Sequence, residues 1–191
     1  MNDPYLTNAS VYLIDTVFGL YLLLIMLRFL LQLARANFYN PLSQFLVKVT
    51  NPLLIPLRRV VPGLFGIDMA SVVLLFTVQV VALILTHMAA GIAVHFPGVL
   101  IMAVGELLSL ALNCYLISIL VQIILSWVGP GGRHPISDVL YSLNEPVLRP
   151  ARRVLPVMAG MDFSPLVVVI LIQLAKILLV APITDLGRAF G

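Results

Sequence analysis

Two arginine pairs, each with prolines on both sides, are the clearest chemical feature of this chain. Arg58 and Arg59 form the first pair and Arg152 and Arg153 the second, with Arg149 just ahead of it. Guanidinium groups suit phosphate and carboxylate groups because their N–H donors form a fixed fork. Such arginines next to a membrane either anchor the chain in anionic headgroups or form a docking site for one lipid or protein. The flanking prolines favour a fixed shape.

An aspartate follows each arginine pair. Asp68 and Asp162 stand just before long apolar stretches. A carboxylate at a helix start accepts hydrogen bonds from free backbone N–H groups and suits the positive end of the helix dipole. We therefore expect both aspartates to cap helices, and a salt bridge to the nearby arginines is compatible with that role.

Further polar side chains interrupt the apolar stretches. They are Asp15, Arg28, Gln79, Gln122, Gln173 and Lys176. Polar groups inside a membrane are costly and usually have partners, so they indicate either interhelical hydrogen bonds or a polar lining for an ion or small solute. We expect Lys176 to pair with Asp15 or Glu106. No metal ligand set, cofactor motif or catalytic residue is predicted, since His87 and His95 lack partners at ligand spacing.

The composition requires a membrane around these groups. Hydrophobic residues make up 61% of the chain and charged residues 10%, against about 25% charged residues in soluble domains. Four apolar stretches are long enough for helical spans, at residues 11–33, 69–93, 106–128 and 163–183. The predicted class is an all-α membrane protein. Residues 94–105, with Pro97, are expected to bend along the interface or to extend a neighbouring helix.

Basic residues predict the orientation. Eight of the eleven lysines and arginines lie in the two segments that join spans one and two and spans three and four. The positive-inside rule puts these segments in the cytoplasm and both termini on the outer side of the membrane.

The chain also repeats itself. A shift of 94 residues aligns residues 40–79 with 134–173, with 14 of 40 positions identical, including prolines, arginines and aspartates. This predicts two parallel units, residues 1–96 and 97–191, related by an axis along the membrane normal. Symmetry would bring Gln79 and Gln173 together near that axis. In each basic segment we expect a short amphipathic helix, a break such as Asn51-Pro52, and a second short helix with the arginines.

The doubled pattern Asn-Pro-Leu-x-x-Pro-x-Arg-Arg-x-x-Pro followed by Gly-x-Asp resembles the YggT family of membrane proteins, and the second copy is the closer match. The first copy departs at residues 69–71. This resemblance implies a bacterial inner-membrane location and a link to osmotic or ionic stress tolerance or to cell division. It implies no enzymatic activity.

Two functions are therefore expected to compete. One is a non-catalytic scaffold or assembly factor whose basic segments bind anionic lipid headgroups or a membrane-protein partner. The alternative is a small ion channel or transporter that acts as a homo-oligomer and is lined by Arg28, Gln79, Gln122 and Gln173. Nucleic acid is not an expected partner, because the basic residues face the membrane surface.

Overall fold

The computed structural model describes residues 4–64, 66–128, 135–154 and 162–190, and their regular structure is helical. The helices are α1 (Pro4–Leu33), α2 (Pro41–Val60), α3 (Met69–Ala90), α4 (Phe96–Val128), α5 (Pro135–Val154), α6 (Ser164–Ala175) and α7 (Ala181–Ala189), and a π-helical turn, Lys176–Val180, joins the last two. Four segments are long and apolar enough to cross a membrane: α1, α3, α4 and the continuous run from α6 to α7. The predicted all-α membrane class is confirmed.

Spans one and three are longer than the apolar stretches predicted. Helix α1 has 30 residues and α4 has 33, which is about 45 to 50 Å at 1.5 Å per residue. A hydrocarbon core is about 30 Å thick, so these helices tilt or extend beyond it. Residues 96–105 therefore extend span three, which is the second of the two expected arrangements, and do not form a separate bend. Pro97 fits because a first helical turn tolerates a missing N–H.

A glycine ends α3 and permits the short return into α4. Gly91 has φ +70°. Its N–H donates to Met88 O at 3.2 Å, and the Ile92 N–H donates to His87 O at 2.9 Å. These two bonds close the helix end, and the left-handed residue that they require is least costly as glycine.

Each basic segment contains one 20-residue helix rather than two short ones. Helix α2 continues through Pro52 and α5 through Pro146, so the predicted break at Asn51-Pro52 is wrong. A proline inside a helix removes one hydrogen bond and crowds the preceding turn. In α2 the buried side chains of Leu46 and Leu54 lie on either side of the proline, and packing of this shared apolar face holds the helix together.

The two repeats pack alike. In each, the second span lies along the first, and the amphipathic helix (α2 or α5) contacts both. The repeats meet through α1 with α4 and α2 with α5, while α4 also contacts α3. The side of the molecule that carries α2 and α5 is called the basic side below. A larger core surrounds Ile25 and Leu46, and a smaller one surrounds Ile119 and Leu148.

Candidate functional site

The first arginine of each pair forms an ion pair with the aspartate ten residues later. Arg58 Nη2 lies 2.5 Å from Asp68 Oδ2, and Arg152 Nε lies 2.9 Å from Asp162 Oδ2. Each bond ties the C-terminal end of an amphipathic helix to the start of the next span. Burial opposes ionisation of both carboxyls, but the hydrogen bonds and positive charge around them outweigh it, so both pKa values lie below the ordinary range.

The second arginines behave differently. Arg59, Arg149 and Arg153 have exposed side chains, and within the described ranges none of them forms an ion pair. One arginine of each pair is therefore tied to an aspartate, and the other has no ion-pair partner among the described residues. Both arginines of a pair are the same residue type and share the same flanking prolines, so their different contacts could not be predicted from the sequence.

Asp68 stands at the N-cap position of α3 and forms the salt bridge that was compatible with this role, but its side chain does not cap the helix. The Asp68 carboxylate accepts from the Ser71 hydroxyl at 2.6 Å and from Arg58, and it caps no backbone N–H of α3. In the second repeat, Asp162 Oδ1 accepts the Ser164 N–H at 2.9 Å. The difference follows from the chain itself, because the position of Ser71 is taken by Pro165, which has no hydroxyl group.

A polar contact between the first span and the amphipathic helix occurs in both repeats, with different chemistry. Arg28 Nη1 donates to Thr50 Oγ1 and to Asn51 Oδ1 at 2.9 Å, and a weaker bond reaches Val47 O at 3.3 Å. At the equivalent place, Gln122 Oε1 accepts from Asn144 at 2.7 Å.

Asn144 holds span three at a second point, one turn away from Gln122, since Asn144 Oδ1 accepts the Ser118 hydroxyl at 2.5 Å. Thr50 and Asn144 were not among the polar residues predicted from the sequence. The 94-residue shift aligns these two polar residues with each other, which is the signal that could have found them.

The remaining predicted polar residues lie apart from these contacts. Lys176 Nζ donates to Asn113 Oδ1 at 2.8 Å, and Asp15 Oδ1 accepts from Thr86 at 3.1 Å. The predicted pairing of Lys176 with Asp15 or Glu106 is therefore wrong. The fourth span contacts α4 and not α1, so Asp15 on α1 is out of reach. On α4 itself, Lys176 bonds Asn113, which lies about two helical turns from Glu106.

Gln79 and Gln173 do not meet. Helices α3 and α6 make no contact, so no central axis brings the two amides together. Gln173 is exposed. Gln79 instead lines a pocket of about 220 Å³ between α1, α3 and α4, away from the basic side. Asp15, Glu106 and Asn113 line the same pocket, so it is polar and contains two carboxyl groups.

Comparison with known proteins now identifies the family. A family model described as CCB3/YggT matches residues 7–89 and again residues 101–183. The two matches are offset by 94 residues, which is the offset of the internal repeat. The chain belongs to the CCB3/YggT family. The resemblance found in the doubled proline and arginine pattern is confirmed.

Several similar proteins align over most of the chain. An uncharacterised protein of Pseudomonas aeruginosa is 42% identical over 92% of this chain and 90% of its own length. The uncharacterised protein YggT of Escherichia coli K12 is 41% identical over 86% of both chains. A Vibrio alginolyticus protein is 40% identical over 90% of this chain and 94% of its own. No solved structure matches the chain.

Proposed function

We propose that this protein is a non-catalytic scaffold of the bacterial inner membrane whose basic side binds anionic lipid headgroups. The observation that carries the proposal is that, among the described residues, one arginine of each pair forms an ion pair with an aspartate and the other does not. Arg58 and Arg152 are held by aspartates, whereas Arg59 and Arg153 are exposed and form no ion pair within the described ranges. Each arginine near an anionic membrane surface contributes about 1 kcal/mol to binding.

The packing supports a single binding surface. Helices α2 and α5 contact each other, so the two basic segments belong to one region of the molecule. Beside α5 runs a groove of about 480 Å³ lined almost wholly by apolar side chains, among them Val147, Ala151, Val168 and Leu171. A lipid whose headgroup is bound by the arginines can lay an acyl chain in this groove.

Lipid preference can be measured with the natural fluorophore. The chain has one tryptophan, Trp127, which is exposed near the end of α4 on the basic side. Brominated phosphatidylglycerol should quench it more strongly than brominated phosphatidylcholine at equal content. The double variant Arg59→Gln, Arg153→Gln should lose this preference. Each substitution should lower the affinity for phosphatidylglycerol relative to phosphatidylcholine by roughly fivefold. Arg188→Gln is the matched control at the opposite side; an undiminished preference in the double variant would contradict the proposal.

A protein partner is tested separately. A photo-crosslinking residue placed at position 59 or 153 should give a reproducible protein adduct in cells if the scaffold recruits one. Recovery of lipid adducts alone would limit the surface to lipid binding. A link to ionic stress predicts that a deletion strain grows poorly at high salt and that the double arginine variant fails to restore growth.

Orientation forms part of the proposal: the basic side faces the cytoplasm and both termini face the periplasm, as the positive-inside rule favours. The single cysteine, Cys114, is buried, and Cys114→Ala gives a cysteine-free background. In that background Tyr5→Cys should react with an impermeant maleimide in intact spheroplasts, and Tyr39→Cys only after permeabilisation. Both tyrosines are exposed. The reverse labelling pattern would refute the orientation.

A second candidate function, transport of a cation as a homo-oligomer, is supported by the polar pocket around Gln79. Asp15 and Glu106 give this pocket two carboxyl groups, which suit a positively charged solute. Liposome flux should fall in the Asp15→Asn, Glu106→Gln double variant and remain in Gln173→Leu, whose side chain lies outside the pocket. Equal flux in the wild type, the double variant and Gln173→Leu would show that the pocket is not part of a transport path.

A further inference from the structure

A cleft in the first repeat carries a positive charge that its own side chains do not balance. The cleft has a volume of about 750 Å³ and lies on the basic side, between α1, the end of α2 and the segment that leads into α3. Its polar lining consists of Arg28, Gln32, Arg58 and Asp68. Two guanidinium groups therefore face one carboxylate.

That carboxylate is already engaged. Asp68 accepts from Arg58 and from the Ser71 hydroxyl, and Arg58 also approaches Gln32 Oε1 at 3.4 Å. Arg28 is left with neutral oxygen acceptors only. Arg28 is 4% exposed, and a buried charge without a counter-charge is costly.

Arg28 also retains an unused donor. Its Nε has no hydrogen-bond partner within the part of the chain that the structure describes. Buried donors are normally satisfied, so an unsatisfied one beside a cleft needs an explanation. A bound oxyanion would supply the missing counter-charge, and a small shift of the guanidinium would bring the free donor to one of its oxygens.

The second repeat lacks this charge. Gln122 replaces Arg28 and is neutral, and its smaller pocket of about 280 Å³ is lined by Asp138 and by no arginine among the described residues. Arg152 there interacts with two carboxylates, Glu145 and Asp162. The cleft of the first repeat therefore has two arginines for one acid, whereas Arg152, the counterpart of Arg58 in the second repeat, bonds two acids. Among the residues that the structure describes, this excess of arginine over acid is found in the first repeat.

We infer that the cleft of the first repeat binds a phosphate-class oxyanion through Arg28, Arg58 and Gln32. The phosphate belongs either to a phospholipid headgroup or to a free phosphate in the aqueous phase. Three planar or amide donor groups suit such oxygens, and arginine recognises them through paired N–H bonds. This site uses different residues from the exposed arginine surface, so either proposal can fail without the other.

The test uses the purified full chain in two arms. In detergent, inorganic phosphate should raise the thermal unfolding midpoint in a saturable manner if free phosphate is the ligand. In nanodiscs, native mass spectrometry should show a retained phosphatidylglycerol, but no retained phosphatidylcholine, if a lipid headgroup is the ligand. A response in either arm supports the site and names the source.

Two variants locate the effect. Arg28→Gln gives the first repeat the side chain that the second repeat already carries, and it should weaken binding by roughly tenfold or more because a charge-assisted contact is lost. Gln32→Glu keeps Arg28 and adds a negative charge to the cleft, so it should abolish binding even if Arg28→Gln folds poorly. Arg188→Gln, the same substitution at the opposite side, should change nothing. Binding that survives both cleft variants, or its absence from both arms, would overturn the inference.

Discussion

Replacing Asp68 by asparagine should destabilise the protein more than replacing Asp162 by asparagine, although the two residues occupy equivalent places in the repeats. Asparagine preserves the shape of the side chain and removes its charge. The difference should follow burial. The Asp68 side chain is 7% exposed, whereas that of Asp162 is 39% exposed.

The magnitudes can be worked from the contacts. A hydrogen bond to a charged group contributes about 1.5–3 kcal/mol when buried. Arg58 is 39% exposed, so water or lipid headgroups can satisfy it after the change, and we expect Asp68→Asn to cost about 1–2 kcal/mol. Arg152 keeps Glu145 at 2.9 Å when Asp162 is replaced. We therefore expect Asp162→Asn to cost below about 1 kcal/mol.

Reversible unfolding in mixed micelles, with increasing SDS at pH 7 and helicity as the signal, measures both free energies of unfolding. Wild type, the two single variants and the double variant form the set. A cost for Asp162→Asn equal to or above that for Asp68→Asn would refute the argument from burial.

The same variants predict a pH dependence. The pKa of Asp68 is lowered in the folded protein, so the folded state stays ionised at a pH where the unfolded chain takes up a proton. Its contribution to stability is full above the ordinary carboxyl pKa of about 4 and is lost as the pH falls through the folded value. The stability difference between wild type and Asp68→Asn should therefore shrink below about pH 4.

Three further predictions concern single contacts. A double-mutant cycle of Lys176→Met with Asn113→Ala should give a coupling energy of about 0.6 kcal/mol in the same micelle assay; no coupling would contradict the contact. Gly187→Ala should cost roughly 1–3 kcal/mol, because its added methyl would meet α4 backbone atoms at 2.8 and 3.1 Å, whereas Gly19→Ala, with open space around it, should be tolerated. Arg35 has φ +52°, so Arg35→Gly should stabilise the protein by about 1 kcal/mol in thermal melts.

Apolar length, charge distribution and the internal repeat were sufficient to predict four spans in two similar units. The positions of helix ends were less predictable, because span three begins at Phe96 through a tight glycine-ended connection that hydropathy does not register. The single α2 helix was not predicted either. The rule that proline interrupts helices is local, and in α2 the burial of Leu46 and Leu54 outweighs it.

Pairings between distant polar groups were the least predictable part of the site. The expected symmetry axis suggested that Gln79 and Gln173 meet, but among the described helices the fourth span packs on α4 and α5 alone. Lys176 therefore finds Asn113, which lies on α4, rather than Asp15, which lies on α1. Side-chain partners depend on which spans touch, and a pattern of apolar residues on all faces of a helix does not encode that choice.

Comparing the two repeats distinguishes the residues that maintain the shared fold from the residues that make the repeats electrostatically different. Groups that are the same in both copies, such as Arg58 with Asp68 and Arg152 with Asp162, close each unit in the same way. The charged groups that differ alter the electrostatics of the basic side without altering its packing. The first repeat has Arg28, a buried cation, where the second repeat has the neutral Gln122. It has the neutral Asn51 where the second repeat has the acidic Glu145. Both differences make the first repeat more positive, which is where an anionic ligand would be selected.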